Sequence, residues 1–184
     1  MKAIQTDIQD VLIIEPSIFE DARGYFFESW NKAKYEEVGI TNDFVQDNES
    51  KSSYGVLRGL HFQIPPYAQA KLVRVIVGKV LDVAVDIRRN SPTFGQHVTV
   101  ELSGENKRQL FIPRGFAHGF VVLSQEVVFS YKCDNIYMPT HDRGIVYNDS
   151  ELQIDWKIPT DAILLSDKDK KHPSFAEVKA KQYF

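Results

Sequence analysis

Apolar residues along this chain recur mostly at every second position, in short runs broken by turn-forming residues. The clearest alternation covers residues 72–87. Val73, Val75, Val77, Leu81, Val83, Val85 and Ile87 share one parity, and Arg74, Asp82 and Asp86 fall on the other. A period of two predicts strands, and Gly78-Lys79 in the middle predicts a hairpin turn. Residues 97–102 alternate too, before a turn at Ser103-Gly104-Glu105-Asn106. Shorter apolar runs predict strands at 11–14, 44–46, 56–63, 110–112, 119–123 and 127–131. The aromatic run at 25–30 suits a pleated surface. Residues 31–38 predict a short helix, with Asn31 as N-cap and Gly39 as the stop. Residues 139–149 read as loop with a short strand at 145–147, and a short polar helix or tail begins near Ser174. Many short strands joined by polar turns predict an all-β sandwich or barrel. No linker or repeat divides the chain, so a single domain over residues 1–184 is expected.

Composition excludes several function classes. The formal net charge is −3, and no cluster of Lys and Arg offers a stripe for a phosphate backbone, so no nucleic-acid partner is expected. No segment approaches the roughly 20 apolar residues that span a bilayer. The opening residues, from Met1 to Asp7, carry no apolar run with a small-residue cleavage site. The single cysteine, Cys133, has no partner within the chain, which points to a reducing compartment. A cytoplasmic protein without a membrane partner is the expectation.

The candidate chemistry centres on Arg58-Gly59-Leu60-His61-Phe62-Gln63, followed by Lys71. A metal-binding cupin barrel would place two histidines and a carboxylate at this spacing. Here Gln63 stands at the second histidine and Lys71 stands in the carboxylate region. One imidazole, one amide and one ammonium make a poor divalent-metal site, because the lysine repels the cation. The same groups suit proton abstraction beside a carbonyl: imidazole titrates near neutral pH, and a cation stabilises a developing oxyanion.

Further motifs extend the pattern along nearly the whole chain. They include Asp21-Ala22-Arg23-Gly24-Tyr25-Phe26, Phe44-Val45-Gln46-Asp47-Asn48, Gln69-Ala70-Lys71-Leu72-Val73-Arg74, Ile112-Pro113-Arg114-Gly115-Phe116-Ala117-His118-Gly119-Phe120 and Ser166-Asp167-Lys168-Asp169. In order and spacing they resemble the dTDP-4-dehydrorhamnose 3,5-epimerases, which are metal-free cupin-type jelly rolls. The resemblance implies an all-β jelly-roll barrel with a few short helices, no cofactor, no metal, and dTDP-4-dehydro-6-deoxy-D-glucose as substrate. It implies His61 as the base, Asp169 behind it, Lys71 at the enolate oxygen and Tyr131 as the proton donor on the opposite face. It further implies substrate contacts from Arg23, Phe26, Glu28, Gln46, Asp47, Asn48, Arg58, His118, Asp142 and Lys168. A homodimer is implied as well, with the N-terminal strands of one subunit completing the site of the other. Asp142 stands where the family often has glutamate, and Tyr147 where it often has tryptophan.

Other readings of the same residues stay open on the sequence alone. Tyr137 is an alternative donor to Tyr131, and Tyr131 reads equally well as a core aromatic. Asp169 lies in a run of alternating charges that reads as a solvated loop. His118 reads as structural, and Arg23 as part of a turn. Cys133 and His172 have no assigned role. As functions, a mono-epimerase or isomerase on a related dTDP-4-keto-6-deoxy sugar, a metal-dependent cupin and a non-catalytic sugar-nucleotide-binding cupin are the alternatives.

Overall fold

The computed structural model describes residues 1–184. Its strands are β1 (Lys2–Gln5), β2 (Leu12–Glu15), β3 (Phe19–Asp21), β4 (Gly24–Phe26), β5 (Gln46–Ser53), β6 (Leu57–Gln63), β7 (Lys71–Val77), β8 (Lys79–Asp86), β9 (His97–Ser103), β10 (Gln109–Ile112), β11 (Phe116–Val122), β12 (Glu126–Cys133) and β13 (Asp142–Gly144). Two α-helices, α1 (Lys32–Glu36) and α2 (Phe175–Lys181), and three single 3-10 turns, Pro139–His141, Thr160–Ala162 and Asp169–Lys171, complete the set. A six-stranded sheet has the order β1-β2-β10-β7-β12-β5, and a five-stranded sheet the order β13-β6-β11-β8-β9. Every pairing between these strands is antiparallel. The arrangement is the cupin-type jelly roll expected from the sequence.

Apolar side chains fill three layers. Between the sheets lie Val73 and Val75 of β7, Ala84 of β8, Phe120 of β11 and Phe129 of β12. Outside the five-stranded sheet, Leu81, Val83 and Val85 meet Leu152, Trp156, Phe175 and Val178 from the C-terminal segment. Outside the six-stranded sheet, Ile14, Leu72 and Phe111 meet Tyr35 and Ile40. Covering both outer faces removes apolar surface that a bare barrel would leave in water, at about 25 cal/mol per Å².

Gly78-Lys79 is not a hairpin turn. β7 pairs with β10 and β12, whereas β8 pairs with β9 and β11, so the chain crosses from one sheet to the other at Gly78. The backbone turns this corner at φ +83°, and a Cβ there would stand 2.0 Å from the Glu126 carbonyl oxygen. Crossing sheets reverses which parity faces inward. Val73 and Val75 point into the barrel, while Leu81, Val83 and Val85 of the same parity point outward under the C-terminal segment. The polar row of β8 is therefore an interior row, and Asp82 and Asp86 are completely buried.

Local signals set most boundaries. The Asn31 side chain caps α1, accepting the Lys34 N–H at 3.4 Å. Ser174 and Glu177 form a reciprocal capping box at the start of α2. The aromatic run is strand only over Gly24–Phe26. Strand β13 ends just before the predicted 145–147 segment, although Ile145 still exchanges backbone hydrogen bonds with Leu60. Strand β5 is almost wholly polar and pairs along its full length with β12, which holds it as the edge of the six-stranded sheet. No helix is long and apolar enough to cross a membrane.

Candidate active site

A cavity opens between the sheets in two lobes, of about 510 Å³ and about 280 Å³. Asn48, His61, Lys71 and Tyr131 line both. His61 stands on β6 in the five-stranded sheet, while Lys71 and Tyr131 stand on β7 and β12 in the six-stranded one. The two walls thus carry different chemistry.

A β-bulge arms the His61 wall. His118 of β11 pairs with His61, but Phe120 pairs with Arg58, so β6 spans one more residue than its partner. The extra residue changes the alternation, and Arg58 and His61 both line the cavity despite opposite parity. On the facing wall plain alternation suffices. Gln46 and Asn48 of β5 face the second lobe, and Asp47 between them points outward to Lys132 at 2.9 Å.

His61 Nε2 lies 2.6 Å from Asp169 Oδ1. Burial alone would raise the Asp169 pKa, but hydrogen bonds from His172 and His61 hold the carboxyl well below the usual range. An ionised carboxylate only accepts, so in the neutral His61 ring the proton sits on Nε2 and the lone pair on Nδ1. A second pair lies on the neighbouring strands, where His118 Nε2 is 3.0 Å from both Asp82 oxygens. Burial lowers the His118 pKa and outweighs the pull of Asp82, which leaves this ring neutral.

Lys71 has no hydrogen-bond or ion-pair partner. Burial lowers its pKa, opposed at a distance by Cys133, Asp142 and Asp82. Its Nζ stands 6.0 Å from the centre of the Tyr131 ring. Burial raises the pKa of Tyr131, so its phenol stays protonated at neutral pH. Arg58 is steadied by Ser52 Oγ, at 3.2 Å from Nε and 3.1 Å from Nη2, and keeps further donors free. Lys168 reaches across to Asp142, which also accepts from the Tyr137 hydroxyl at 3.1 Å.

Gln63, where a metal cupin would carry its second histidine, is a structural clamp. Its amide donates to the Tyr67 and Ile136 carbonyls at 2.7 and 3.1 Å and accepts the Met138 N–H at 2.6 Å. The one group with metal-ligand spacing is His61, Asp169 and His172, whose ligating atoms lie within 4.8 Å of one another. Both imidazole Nε2 atoms face the same carboxylate oxygen. Protonated nitrogens aimed at an anion form a hydrogen-bond fork and leave no lone pair there for a cation.

The structure thus brings His61, Lys71, Tyr131, Asp169, Asn48, Arg58, His118 and Lys168 to the larger lobe, and Gln46 and Asp142 to the smaller. Arg23, Phe26 and Glu28 stand elsewhere. Arg23 pairs with Asp21 at the tip of the β3–β4 hairpin, Phe26 is 67% exposed, and Glu28 binds Asn31 and Lys34 beside α1. Sequence reasoning assigned no role to Asp82 or His172. A carboxylate in the otherwise apolar run of β8 was the available signal for Asp82; His172 had none.

The chain matches the family described as dTDP-4-dehydrorhamnose 3,5-epimerase over residues 5–177. It is 57% identical over 178 residues to the dTDP-4-dehydrorhamnose 3,5-epimerase of Shigella flexneri, covering 96% of this chain and 97% of that protein. A crystal structure of the enzyme so named from Elizabethkingia anophelis superposes with a TM-score of 0.93 at 57% identity, covering 96% of this chain and 97% of that one. A 3,5-epimerase from Legionella pneumophila, solved in complex with dTDP-4-keto-L-rhamnose, gives a TM-score of 0.95 at 51% identity, covering 99% and 96%.

Proposed function

The chain belongs to the dTDP-4-dehydrorhamnose 3,5-epimerase family, and from that premise we propose how its own residues carry the reaction. The enzyme converts dTDP-4-dehydro-6-deoxy-D-glucose to dTDP-4-dehydro-L-rhamnose. The 4-keto group acidifies the C–H bonds at C3 and C5, so no electron acceptor, metal or other cofactor is needed. His61 Nδ1 takes the proton and becomes imidazolium against Asp169. The electron pair moves onto the C4 oxygen, where the Lys71 ammonium meets the developing charge. Tyr131 returns a proton to the carbon from the other face, and water restores the phenol and the imidazole. The same cycle then acts at the second carbon.

One observation carries this reading: His61, backed by Asp169, stands on one sheet and the Tyr131 phenol on the other, with the unpaired Lys71 beside Tyr131 on the cavity wall. Inversion needs a base and an acid on opposite faces of a ring, and a cation without a resident partner is pre-organised for an oxyanion. Arg58 and Lys168 suit the diphosphate. Gln46, Asn48 and Asp142 suit the nucleotide and sugar edges, with His118 on the sugar side.

A homodimer is the assembly that the placement of the remaining groups supports. The β3–β4 hairpin stands clear of the barrel with Phe19, Tyr25 and Phe26 at 65%, 55% and 67% exposure. In the dimer it delivers Arg23 and Phe26 to the partner's cavity, with Glu28 and Asp47 near the seam. A cytoplasmic location fits the unpaired, buried Cys133.

The test is exchange in D₂O with dTDP-4-keto-6-deoxy-glucose, with chelator present, followed by NMR. Deuterium at both C3 and C5 with inversion is expected. Exchange at one carbon only would indicate the mono-epimerase, and binding without exchange a carrier. A folded His61→Ala protein should bind dTDP yet lose about 10²- to 10⁴-fold in rate.

A further inference from the structure

We propose that His172 is a positioning residue for the reaction: its imidazole donates to the same Asp169 oxygen that receives His61, and so sets how strongly Asp169 holds the base. The inference rests on the proton-transfer role just given to His61.

Three observations converge on it. His172 Nε2 lies 3.2 Å from Asp169 Oδ1, the atom that His61 reaches at 2.6 Å. The His172 ring is buried and meets the His61 ring edge-on, with centroids 5.3 Å apart. Room for it is made by Gly144, the residue paired with His61 across β13 and β6. A Cβ on Gly144 would stand 2.4 Å from the His172 ring, so any other residue would expel the imidazole. The backbone is held as well, since Val146 N–H donates to the Pro173 carbonyl at 2.9 Å. His172 lines neither lobe of the cavity, so it reaches the reaction only through the groups it touches, the Asp169 carboxylate and the edge of the His61 ring.

Two donors on one oxygen compete. Each draws electron density from Oδ1, and each fixes the carboxylate against rotation. With His172 in place, Asp169 stays ionised and oriented but does not clasp His61 as tightly as a sole acceptor would. The proton on His61 is then easier to release after each transfer. Without His172, Oδ1 turns wholly to His61, the imidazolium is overstabilised, and the carboxylate is free to swing.

The experiment compares wild type with His172→Phe, which keeps a ring but no donor, and His172→Gln, whose amide restores a donor near Nε2. In His172→Phe we expect kcat to fall about 10- to 100-fold, with KM little changed, and the acid limb of the kcat/KM profile to move to higher pH. The other charged or titratable groups that share a lobe with His61 or pair with one that does are Glu49, Arg58, Lys71, His118 with Asp82, Tyr131, Cys133, Tyr137, Asp142 and Lys168; all are common to the three proteins, so a difference in the limb reports on His172. In His172→Gln, rate and limb should return toward wild type. A second readout uses the free protein. The His61 Nε2–H proton resonance should move downfield in His172→Phe, as it becomes the sole donor to Oδ1, and return in His172→Gln. That resonance needs no substrate, so it separates failure of this inference from failure of the proposed reaction. An unmoved resonance with unchanged kcat would overturn the inference. So would equal defects in Phe and Gln, which would assign the effect to ring packing against Gly144. Should His172→Phe not fold, His172→Leu removes the donor in its place.

Discussion

Lys71→Met should make the protein more stable and nearly inactive. The lysine begins β7, half-buried on the cavity wall, and its ammonium has no hydrogen-bond or ion-pair partner. Burial therefore lowers its pKa, and Cys133, Asp142 and Asp82 offset this only from a distance. Methionine fills a similar volume without a charge to desolvate. Replacing a poorly compensated internal charge by an apolar side chain gains about 1–2 kcal/mol, or about 2–8 °C in Tm for a chain of this size. The sign of the pH dependence follows from linkage. The folded pKa lies below the unfolded value of about 10.4, so the unfolded chain binds more protons in between, and wild-type stability rises with pH across that window. The advantage of Lys71→Met is full below the lowered folded pKa and closes towards pH 10.4 or so. Thermal melts of both proteins at pH 7.5 and near pH 10, with exchange rates beside them, test this. Loss of about 10²- to 10³-fold in rate is expected from removing the oxyanion partner. A methionine variant no more stable than wild type at pH 7.5 would show that the ammonium is already compensated, and the argument for a pre-organised cation would fail.

Tyr131→Phe should leave hydrogen exchange measurable but remove inversion, because the base is intact and the opposite-face donor is gone. Tyr137→Phe should be mild, since the Tyr137 hydroxyl is occupied by Asp142 at 3.1 Å; the reverse pattern by NMR would reassign the donor. Acid should destabilise in two steps. The lowered pKa of His118 removes stability as pH falls below about 6.5, and the depressed pKa of Asp169 removes more below about 3.9, read as Tm against pH. Asp149→Ala should lose about 2–3 kcal/mol in urea unfolding, because that carboxylate accepts the N–H groups of Glu151, Leu152 and Phe175 at 2.9, 3.3 and 2.8 Å.

How far the pattern of residues could carry the fold is clearest at β7 and β8. Alternation identified both strands, yet parity alone does not say which face of a sheet is inside when both faces are covered. The C-terminal segment covers the outer face of β8, and nothing local to residues 79–86 announces it. Strand β5 was illegible for the opposite reason. Its residues are polar on both faces, because one lines a wet cavity and the other meets solvent, so no hydrophobic period exists to be read. The aromatic run at 25–30 holds as strand only as far as Phe26, in an exposed hairpin with little apolar surface to pack against within this chain.

The site divides along the same line. His61, Lys71 and Arg58 were visible because they interrupt apolar strands, where an imidazole or a cation needs a reason. Asp169 was visible only through the family resemblance, since it sits 108 residues from His61 within a charged run, and only the return of the chain under β13 makes it a partner. Asp82 and Asp86 carried a signal that the parity reading discounted. A carboxylate with no exposure must be matched, and each one is: Asp82 by His118, and Asp86 by Arg88, Ser91 and Thr93. Two carboxylates in an apolar run therefore predict polar partners for each, and here one of those partners is a cavity histidine. The bulge between Arg58 and His61 is the step that no such rule reaches. It is one residue of mismatch between neighbouring strands, and without it Arg58 and His61 would face opposite sides of the same sheet.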